Sequence, residues 1–261
     1  MPATVSAEPV VTTSADVWGT CVRCGRAHRV PAGPAAERVE DFIRGLEREG
    51  FSSAGARDEL GRAPVDFARL WEPYGGKMFG ILLGRDPHGG EVELRAFSGQ
   101  LHGAWTLPGW CPPLFDVSRW RALESRVEPE VKRAIAAHEA ATRAGMDAAH
   151  VAHLLKQRRA ASRELMARYH GLYRIPDGRG ETRALSQLFG ERSPPSGTGD
   201  CCAPKLIAEA SRRGLRISSM VEFYVGATNR RETRQHGEVY PPCDEKCGPI
   251  LGAMLCGHTG A

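Results

Sequence analysis

The first regular spacing of apolar residues predicts a helix over residues 34–49. Apolar side chains recur there every three or four positions, with charged residues between them, at Val39, Phe42, Ile43 and Leu46. This spacing places one apolar stripe on one side of a helix. Gly50 follows, and glycine commonly ends a helix. We therefore expect an amphipathic helix that packs on a core.

A different pattern over residues 77–97 predicts a β-hairpin. Residues 77–84 are an apolar run, and residues 91–97 alternate between polar and apolar side chains. Asp86-Pro87 and Gly89-Gly90 between them favour turns. We expect a first strand in the centre of a sheet and a second strand with one face in water.

The composition becomes rich in Ala, Glu and Arg over residues 116–169, with apolar residues at helical spacing. Gly145 and Asp147 mark a bend, so the segment predicts two antiparallel helices. The second of them carries a run of cations that includes Arg158, Arg159 and Arg163. Such a run is typical of a solvated helix face, and it is also suited to binding phosphate groups.

The C-terminal part predicts a helix, a strand and a second helix. Pro204 favours the first turn of a helix that ends near Gly214. Residues 215–225 are rich in β-branched and aromatic side chains, which indicates a strand. Pro242 then favours the start of a helix over residues 243–255.

Cysteines at these two helix starts predict one shared metal ion. Cys201 and Cys202 precede the first helix, while Cys243 and Cys247 are four residues apart and face the same way. A helix N-terminus stabilises thiolates, and thiolate sulfur is a preferred zinc ligand. We expect zinc bound by Cys201, Cys243 and Cys247, with Cys202 as the alternative first ligand and His236 as the candidate fourth. The competing interpretation is a cluster of packed cysteines without metal.

A second cysteine motif lies near the N-terminus. Cys21 and Cys24 are two residues apart and His28 follows, which is half of a zinc-knuckle pattern. Cys111 or a distant histidine would have to complete the site. The competing interpretation is a pair of buried thiols beside an exposed histidine. We expect Cys256 to be either a core residue or an idle one.

The composition fits an ordinary soluble globular protein, with 41% hydrophobic and 25% charged residues. We find no apolar run long enough to cross a bilayer and no signal-peptide pattern, so we expect a cytoplasmic protein without a membrane partner. Eight cysteines in a reducing compartment favour thiols and metal over disulfides. The net charge of +4 permits an anionic partner.

We expect four parts in the chain. They are an N-terminal tail with the Cys-x-x-Cys motif (1–33), the first half of an α/β domain (34–115), an inserted helical hairpin (116–170), and the second half of the α/β domain with the zinc motifs (171–261).

The order of helix, hairpin strands, ligand-bearing helix, strand and ligand-bearing helix resembles the zinc nucleobase deaminases. The resemblance implies the cytidine deaminase-like fold, an α/β/α sandwich with a mixed sheet. In that family a Glu two residues after the first ligand shuttles protons, and the second motif is Pro-Cys-x-x-Cys. Here Ala203 stands in the place of that Glu, and the second motif has one more residue between Cys243 and Cys247.

A deaminase needs a carboxylate to carry a proton between water and the ring nitrogen. Because Ala203 cannot do this, another residue would have to supply the carboxylate. The candidates are Asp200, Glu222 and Glu238.

Five segments taken together resemble the N-terminal extension of some bacterial RluA-type pseudouridine synthases. They are KMFGIL from Lys77, AFSGQL from Ala96, GDCCAPKL from Gly199, VEFYVG from Val221, and the stretch from His236 through Cys243 to Ile250-Leu251. The resemblance implies an RNA-modification setting and an RNA-modification enzyme as a partner. We find no His-Arg-Leu-Asp-like catalytic motif, so we do not expect this chain to form pseudouridine by itself.

Three functions remain open from the sequence. The first is a zinc-dependent deaminase-like hydrolase that acts on a base in a nucleic acid or a nucleotide. The second is a non-catalytic RNA-binding module with a structural zinc, and the third is a protein-interaction module that uses the helical hairpin. The candidate contacts to a nucleic acid are Arg158, Arg159, Arg163 and Lys205.

Overall fold

A computed structural model describes residues 15–49, 61 and 66–258 of the chain. Residues 1–14, the first part of the expected N-terminal tail (1–33), lie outside the described part. The strands are β1 (Val17–Thr20), β2 (Ala27–Val30), β3 (Lys77–Arg85), β4 (Glu91–Phe97), β5 (Arg174–Pro176), β6 (Thr182–Ala184), β7 (Arg216–Val225) and β8 (Val239–Tyr240). The helices are α1 (Gly33–Glu37), α2 (Val39–Glu49), α3 (Val117–Arg143), α4 (Ala148–His170), α5 (Cys202–Arg212) and α6 (Gly248–Leu255).

The central sheet has four strands in the order β4-β3-β7-β8, and every neighbouring pair is antiparallel. The buried strand β3 lies between its hairpin partner β4 and β7, with Phe79 opposite Phe97 on one side and Phe223 on the other. The expectation of a mixed sheet is therefore wrong. The composition of a strand indicates that it is buried but does not encode the direction in which it runs.

Alternate residues of β3 face two separate cores, because successive side chains of a strand point to opposite faces. Phe79 and Ile81 pack with Phe42 of α2 and with Phe223. Leu82 on the other face packs with Leu206 of α5. The chain is thus a mixed α/β protein whose sheet is covered by helices on both faces.

The long helices α3 and α4 form a helical hairpin beside the sheet. Asp116 and Asp147 cap their N-termini through side-chain hydrogen bonds to backbone amides. Trp120 of α3 stacks on Tyr169 of α4, with ring centroids 3.9 Å apart, and both rings belong to the core below α5. The hairpin is therefore anchored at its base by aromatic packing.

The segment before residue 33 is not only a tail, because β1 and β2 pair as an antiparallel hairpin. This hairpin packs on α6 at very close range. A Cβ atom on Gly19 would lie 2.3 Å from the backbone nitrogen of Gly252, and one on Gly252 would lie 2.3 Å from the carbonyl carbon of Thr20. Because Gly19 and Gly252 both lack a side chain, the backbone of β1 can lie directly against the backbone of α6.

Two predicted helices begin or break at other residues than expected. The helix over residues 34–49 is interrupted at Arg38, where α1 ends before α2. The helix expected from residue 243 begins only at Gly248, and Cys243 lies in the turn before it. Among the helices that the structure describes, none combines the length and the apolar character needed to cross a membrane.

Candidate metal centre

Three thiols from two separate segments meet at the starts of α5 and α6. Cys201 is the residue that precedes α5, and Cys247 is the residue that precedes α6. Cys243 lies one turn before Cys247, and its carbonyl oxygen accepts hydrogen bonds from the amides of Cys247 and Gly248. This turn brings the second and third thiols to the first.

The spacing of the three sulfur atoms fits one tetrahedral ion. The sulfur atoms of Cys201, Cys243 and Cys247 all lie within 4.8 Å of one another, and those of Cys201 and Cys243 are 3.7 Å apart. Tetrahedral zinc with Zn–S bonds of about 2.3 Å holds its sulfurs about 3.8 Å apart. Within the part of the chain that the structure describes, this group has three members. The fourth coordination position of a tetrahedral zinc ion is therefore left open.

The charge state of the thiols also suits a cation. Hydrogen bonds from Cys201 and Cys247 lower the pKa of Cys243 to about 2. The hydrogen bond to Cys243 is in turn the main reason why the pKa of Cys201 is raised, with burial adding to it. Because thiols bind a metal as thiolates, a bound cation would release the protons that the raised pKa values favour on Cys201 and Cys247.

Cys202 and His236 do not join this group. The thiol of Cys202 is buried and donates a hydrogen bond to the carbonyl oxygen of Met78 at 3.5 Å. His236 accepts a hydrogen bond from the amide of Gly226 through Nδ1, and its ring packs near Trp71. His236, which the sequence predicts as the fourth ligand, therefore does not lie in the group of three sulfurs.

Glu222 is the carboxylate that the fold places beside the thiol-bearing helix. It lies on β7 directly opposite Gly80 of β3, and its side chain is 4% exposed. Its Oε1 accepts a hydrogen bond of 2.7 Å from the amide of Ala203, the second residue of α5. Burial raises the pKa of Glu222 to about 7, although the hydrogen bond from Ala203 opposes the shift. The carboxyl group can therefore both take up and release a proton near neutral pH.

The other two candidate carboxylates have different surroundings. Asp200 accepts a 2.5 Å hydrogen bond from the hydroxyl of Tyr173, while its backbone carbonyl accepts one from the amide of Gly99. Burial raises the pKa of Asp200, and the bond from Tyr173 opposes that rise. Glu238 is exposed at the surface. Asp200 therefore connects the residue before Cys201 to Tyr173 and Gly99, and of the three candidates Glu222 is the one whose side chain is hydrogen-bonded to α5.

Lys205 is not a contact for nucleic acid, because its side chain is fully buried. Its ammonium group donates hydrogen bonds of 2.9 Å to the carbonyl oxygens of Phe97 and Gly99 and lies 4.7 Å from the centre of the Phe97 ring. Burial lowers its pKa to about 8. The pattern of the sequence missed this because the residue lies on the first turn of a helix that is buried on nearly all sides.

The arginines of α4 remain available at the surface. Arg159 and Arg163 are exposed, and Arg158 is half-buried with its guanidinium 3.4 Å from Nδ1 of His138. Arg163 lines a surface groove together with His170 and Arg192.

A second group of ligand atoms contains a residue that the sequence pattern did not select. Cys256 joins Cys21, Cys24 and His28, with one ligand atom of each residue within 4.8 Å of the others. Cys256 is a buried residue, as expected, and its sulfur also lies within this group because the C-terminal end of α6 packs near the β1–β2 hairpin. Cys111 does not complete the motif, since it lies in the core, where burial raises its pKa to about 12.

Comparisons with known proteins add no family to this picture. No protein-family model matches the chain, and no curated protein or solved structure matches it significantly. The site is therefore interpreted from its own geometry.

Proposed function

We propose that the chain is a zinc-dependent hydrolase of the nucleobase deaminase type, with a cytidine deaminase-like arrangement of its site. The observation that carries this proposal is a group of three thiols at the starts of α5 and α6, together with a buried carboxylate, Glu222, that is hydrogen-bonded to the second residue of α5. Cys201, Cys243 and Cys247 would hold the zinc, which leaves one position open for water. Three protein ligands and an open position are the pattern of catalytic zinc rather than structural zinc.

In the nucleobase deaminases a Glu near the zinc serves as general acid and base. In this chain Glu222 arrives from the neighbouring strand and contacts the backbone of Ala203, the residue at that Glu's position in sequence. A carboxylate from β7 thus compensates for the alanine in α5. This contact is our reason for choosing Glu222 over Asp200 and Glu238.

The reaction that fits is hydrolysis of an exocyclic amino group on a base. Zinc, when bound, would act as a Lewis acid that lowers the pKa of a water molecule. Glu222 would accept a proton from that water and deliver it to the ring nitrogen. It would then take the second proton from the oxygen that has attacked the base and pass it to the departing amine. The base gains a carbonyl oxygen in place of its amino group, and ammonia leaves.

The substrate class is a base in RNA or in a nucleotide. The resemblance of five segments to a module of RNA-modifying enzymes supports this choice, and it also supports an RNA-modification enzyme as a partner. Arg163 and Arg192 are exposed cations that line one groove, and the exposed Arg159 lies one helical turn before Arg163, which suits contacts to phosphate. Zinc that is only structural would need a fourth protein ligand, and His236, its candidate, does not belong to the group of ligand atoms around the three sulfurs.

The direct test is ammonia release by the zinc-loaded chain. Cytidine monophosphate, adenosine monophosphate, cytidine and single-stranded RNA of mixed sequence would be supplied as substrates, with base conversion in the RNA read by mass spectrometry. We expect turnover of at least one of these substrates. We expect Glu222→Gln to reduce it by about 100-fold or more while zinc content stays unchanged.

Glu238→Gln is the discriminating comparison, because sequence alone does not separate the two carboxylates. We expect this exposed substitution to leave turnover within about twofold of the unchanged chain, as most surface substitutions do. Equal activity of the unchanged chain and the Glu222→Gln variant would reject Glu222 as the proton carrier. Absence of ammonia and base conversion with all four substrates would reject the deaminase proposal.

A further inference from the structure

The second ligand group has the donor set and the spacing of a closed zinc site. Three thiols and one imidazole, from Cys21, Cys24, Cys256 and His28, each offer an atom within 4.8 Å of the others. The sulfur of Cys24 lies 3.2 Å from Nε2 of His28. A tetrahedral ion with Zn–S of about 2.3 Å and Zn–N of about 2.0 Å would hold such a pair about 3.5 Å apart.

The backbone between the first two cysteines is already folded for metal binding. The amide of Cys21 donates to the carbonyl of Arg26, and the amide of Gly25 donates to the carbonyl of Cys21. Gly25 has a φ of +68°, a conformation that glycine adopts without steric cost. This tight turn directs both thiols of the Cys-x-x-Cys motif toward one point.

We propose that Cys21, Cys24, His28 and Cys256 bind a zinc ion that is structural. Four protein ligands fill a tetrahedral coordination sphere, so no position remains for a substrate or a reactive water. Such a site stabilises a fold through the free energy of metal binding. This inference does not depend on the proposed deaminase activity, because its ligands belong to a different group.

The role of this zinc follows from where its ligands lie. Cys256 is the residue that follows α6, whereas Cys247, a proposed ligand of the first centre, is the residue that precedes it. At 1.5 Å per residue these two cysteines are about 14 Å apart along the helix axis. A zinc at the far end would connect Cys256 to the β1–β2 hairpin through Cys21, Cys24 and His28. The loop that contains Gly178 contacts the same end of α6, because the Gly178 amide donates a hydrogen bond to the carbonyl of Cys256. The zinc would thereby fix the helix that presents Cys247 to the first centre.

The experiment is zinc counting on the full chain purified under reducing conditions, by elemental mass spectrometry. We expect about two zinc ions per chain in the unchanged protein. Cys256→Ser and Cys201→Ser should each lower the count to about one, and the two together should lower it to about zero. Cys111→Ser is the matched control, because this cysteine is buried outside both groups, and it should keep both ions.

Measurements of stability distinguish a zinc ion that stabilises the fold from one that is bound without stabilising it. Cys256→Ser should lower the melting temperature by several degrees and weaken zinc retention at the first centre against a chelator. If that variant does not fold, His28→Ala replaces it, because His28 is only half-buried. The proposal is overturned if the reduced chain holds a single zinc that Cys256→Ser or His28→Ala retains and Cys201→Ser loses. A single zinc lost in Cys256→Ser or His28→Ala but retained in Cys201→Ser would support this site and reject the first centre.

Discussion

The carboxylate of Glu222 accepts a hydrogen bond from the amide of Ala203 across 2.7 Å, which joins the third strand of the sheet to the helix that carries Cys201. The first amides of a helix have no partner within it, so a buried carboxylate there acts as a cap. Glu222 thus has a structural role as well as the proposed chemical one. The two roles respond differently to substitution.

The first prediction separates these roles by comparing Glu222→Gln with Glu222→Ala. Glutamine keeps an acceptor oxygen for the Ala203 amide, so the free energy of unfolding should change by less than about 1 kcal/mol. Alanine removes the acceptor and should destabilise the chain by about 1–3 kcal/mol. Both variants should lose ammonia release. Urea unfolding measures the free energy of unfolding. If Glu222→Gln stays fully active, the proton-carrying role of Glu222 is rejected and only its role as a helix cap is left.

The second prediction concerns the hydroxyl of Tyr173, which donates to the buried Asp200. Tyr173→Phe leaves that carboxyl group without this donor and should destabilise the chain by about 1–3 kcal/mol. Tyr169→Phe is the control in the same core, where the ring of Tyr169 packs by stacking on Trp120. Thermal unfolding compares them. Equal melting temperatures for the two variants would argue against the bond between Tyr173 and Asp200.

The third prediction concerns the close approach of β3 to α5. A Cβ on Gly80 would lie 2.7 Å from the Cβ of Cys202 and 3.0 Å from Cδ1 of Leu206. Gly80→Ala should therefore cost about 1–3 kcal/mol of stability by overpacking. In Gly248→Ala the nearest neighbour of the new Cβ would be the carbonyl oxygen of Cys243 at 3.8 Å, so this control should be nearly neutral. A fully stable Gly80→Ala chain would show that the helix lies further from the strand.

The fourth prediction concerns pH and the buried ammonium of Lys205. Burial lowers its pKa to about 8 from the ordinary lysine value of 10.5, so between these values the unfolded chain binds more protons than the folded one. Stability from this residue should therefore rise with pH across that window, by on the order of 3 kcal/mol.

The measurement for Lys205 is the difference in unfolding free energy between the unchanged chain and Lys205→Met, followed from pH 7.5 to 10.5 in the same metal state. Subtracting the variant removes the titration of the cysteines, which both chains share. We expect the difference to shift in favour of the unchanged chain as pH rises. A difference that stays flat or falls would contradict the lowered pKa.

Much of the secondary structure follows from patterns within short windows of sequence. The alternation in residues 91–97 and the apolar run before it correspond to β4 and β3, and the two long helices lie where the helical spacing indicates them. The turn residues and the N-terminal caps act locally, so a sequence reader can find them. The antiparallel direction of β7 depends on how distant segments pack, and no local pattern carries it.

The two ligand groups show the same contrast. Cys243 and Cys247 are four residues apart in the sequence. Cys201 and Cys247 each directly precede a helix, α5 and α6, so the sequence could predict that Cys201 joins the other two. Cys256 is different, because only the packing of the β1–β2 hairpin on α6 brings it to Cys21. The pair of glycines that allows this packing, Gly19 and Gly252, is a weak pattern in a chain with 30 glycines. The choice of Glu222 likewise depends on the strand register that sets it against Ala203.

The most direct measurement is X-ray diffraction from crystals of the zinc-loaded chain at the zinc absorption edge. We predict an anomalous peak about 2.3 Å from the sulfurs of Cys201, Cys243 and Cys247, with a non-protein atom as the fourth ligand near Glu222. No peak among these sulfurs, or a fourth protein side chain such as His236 on the ion, would contradict a catalytic zinc there.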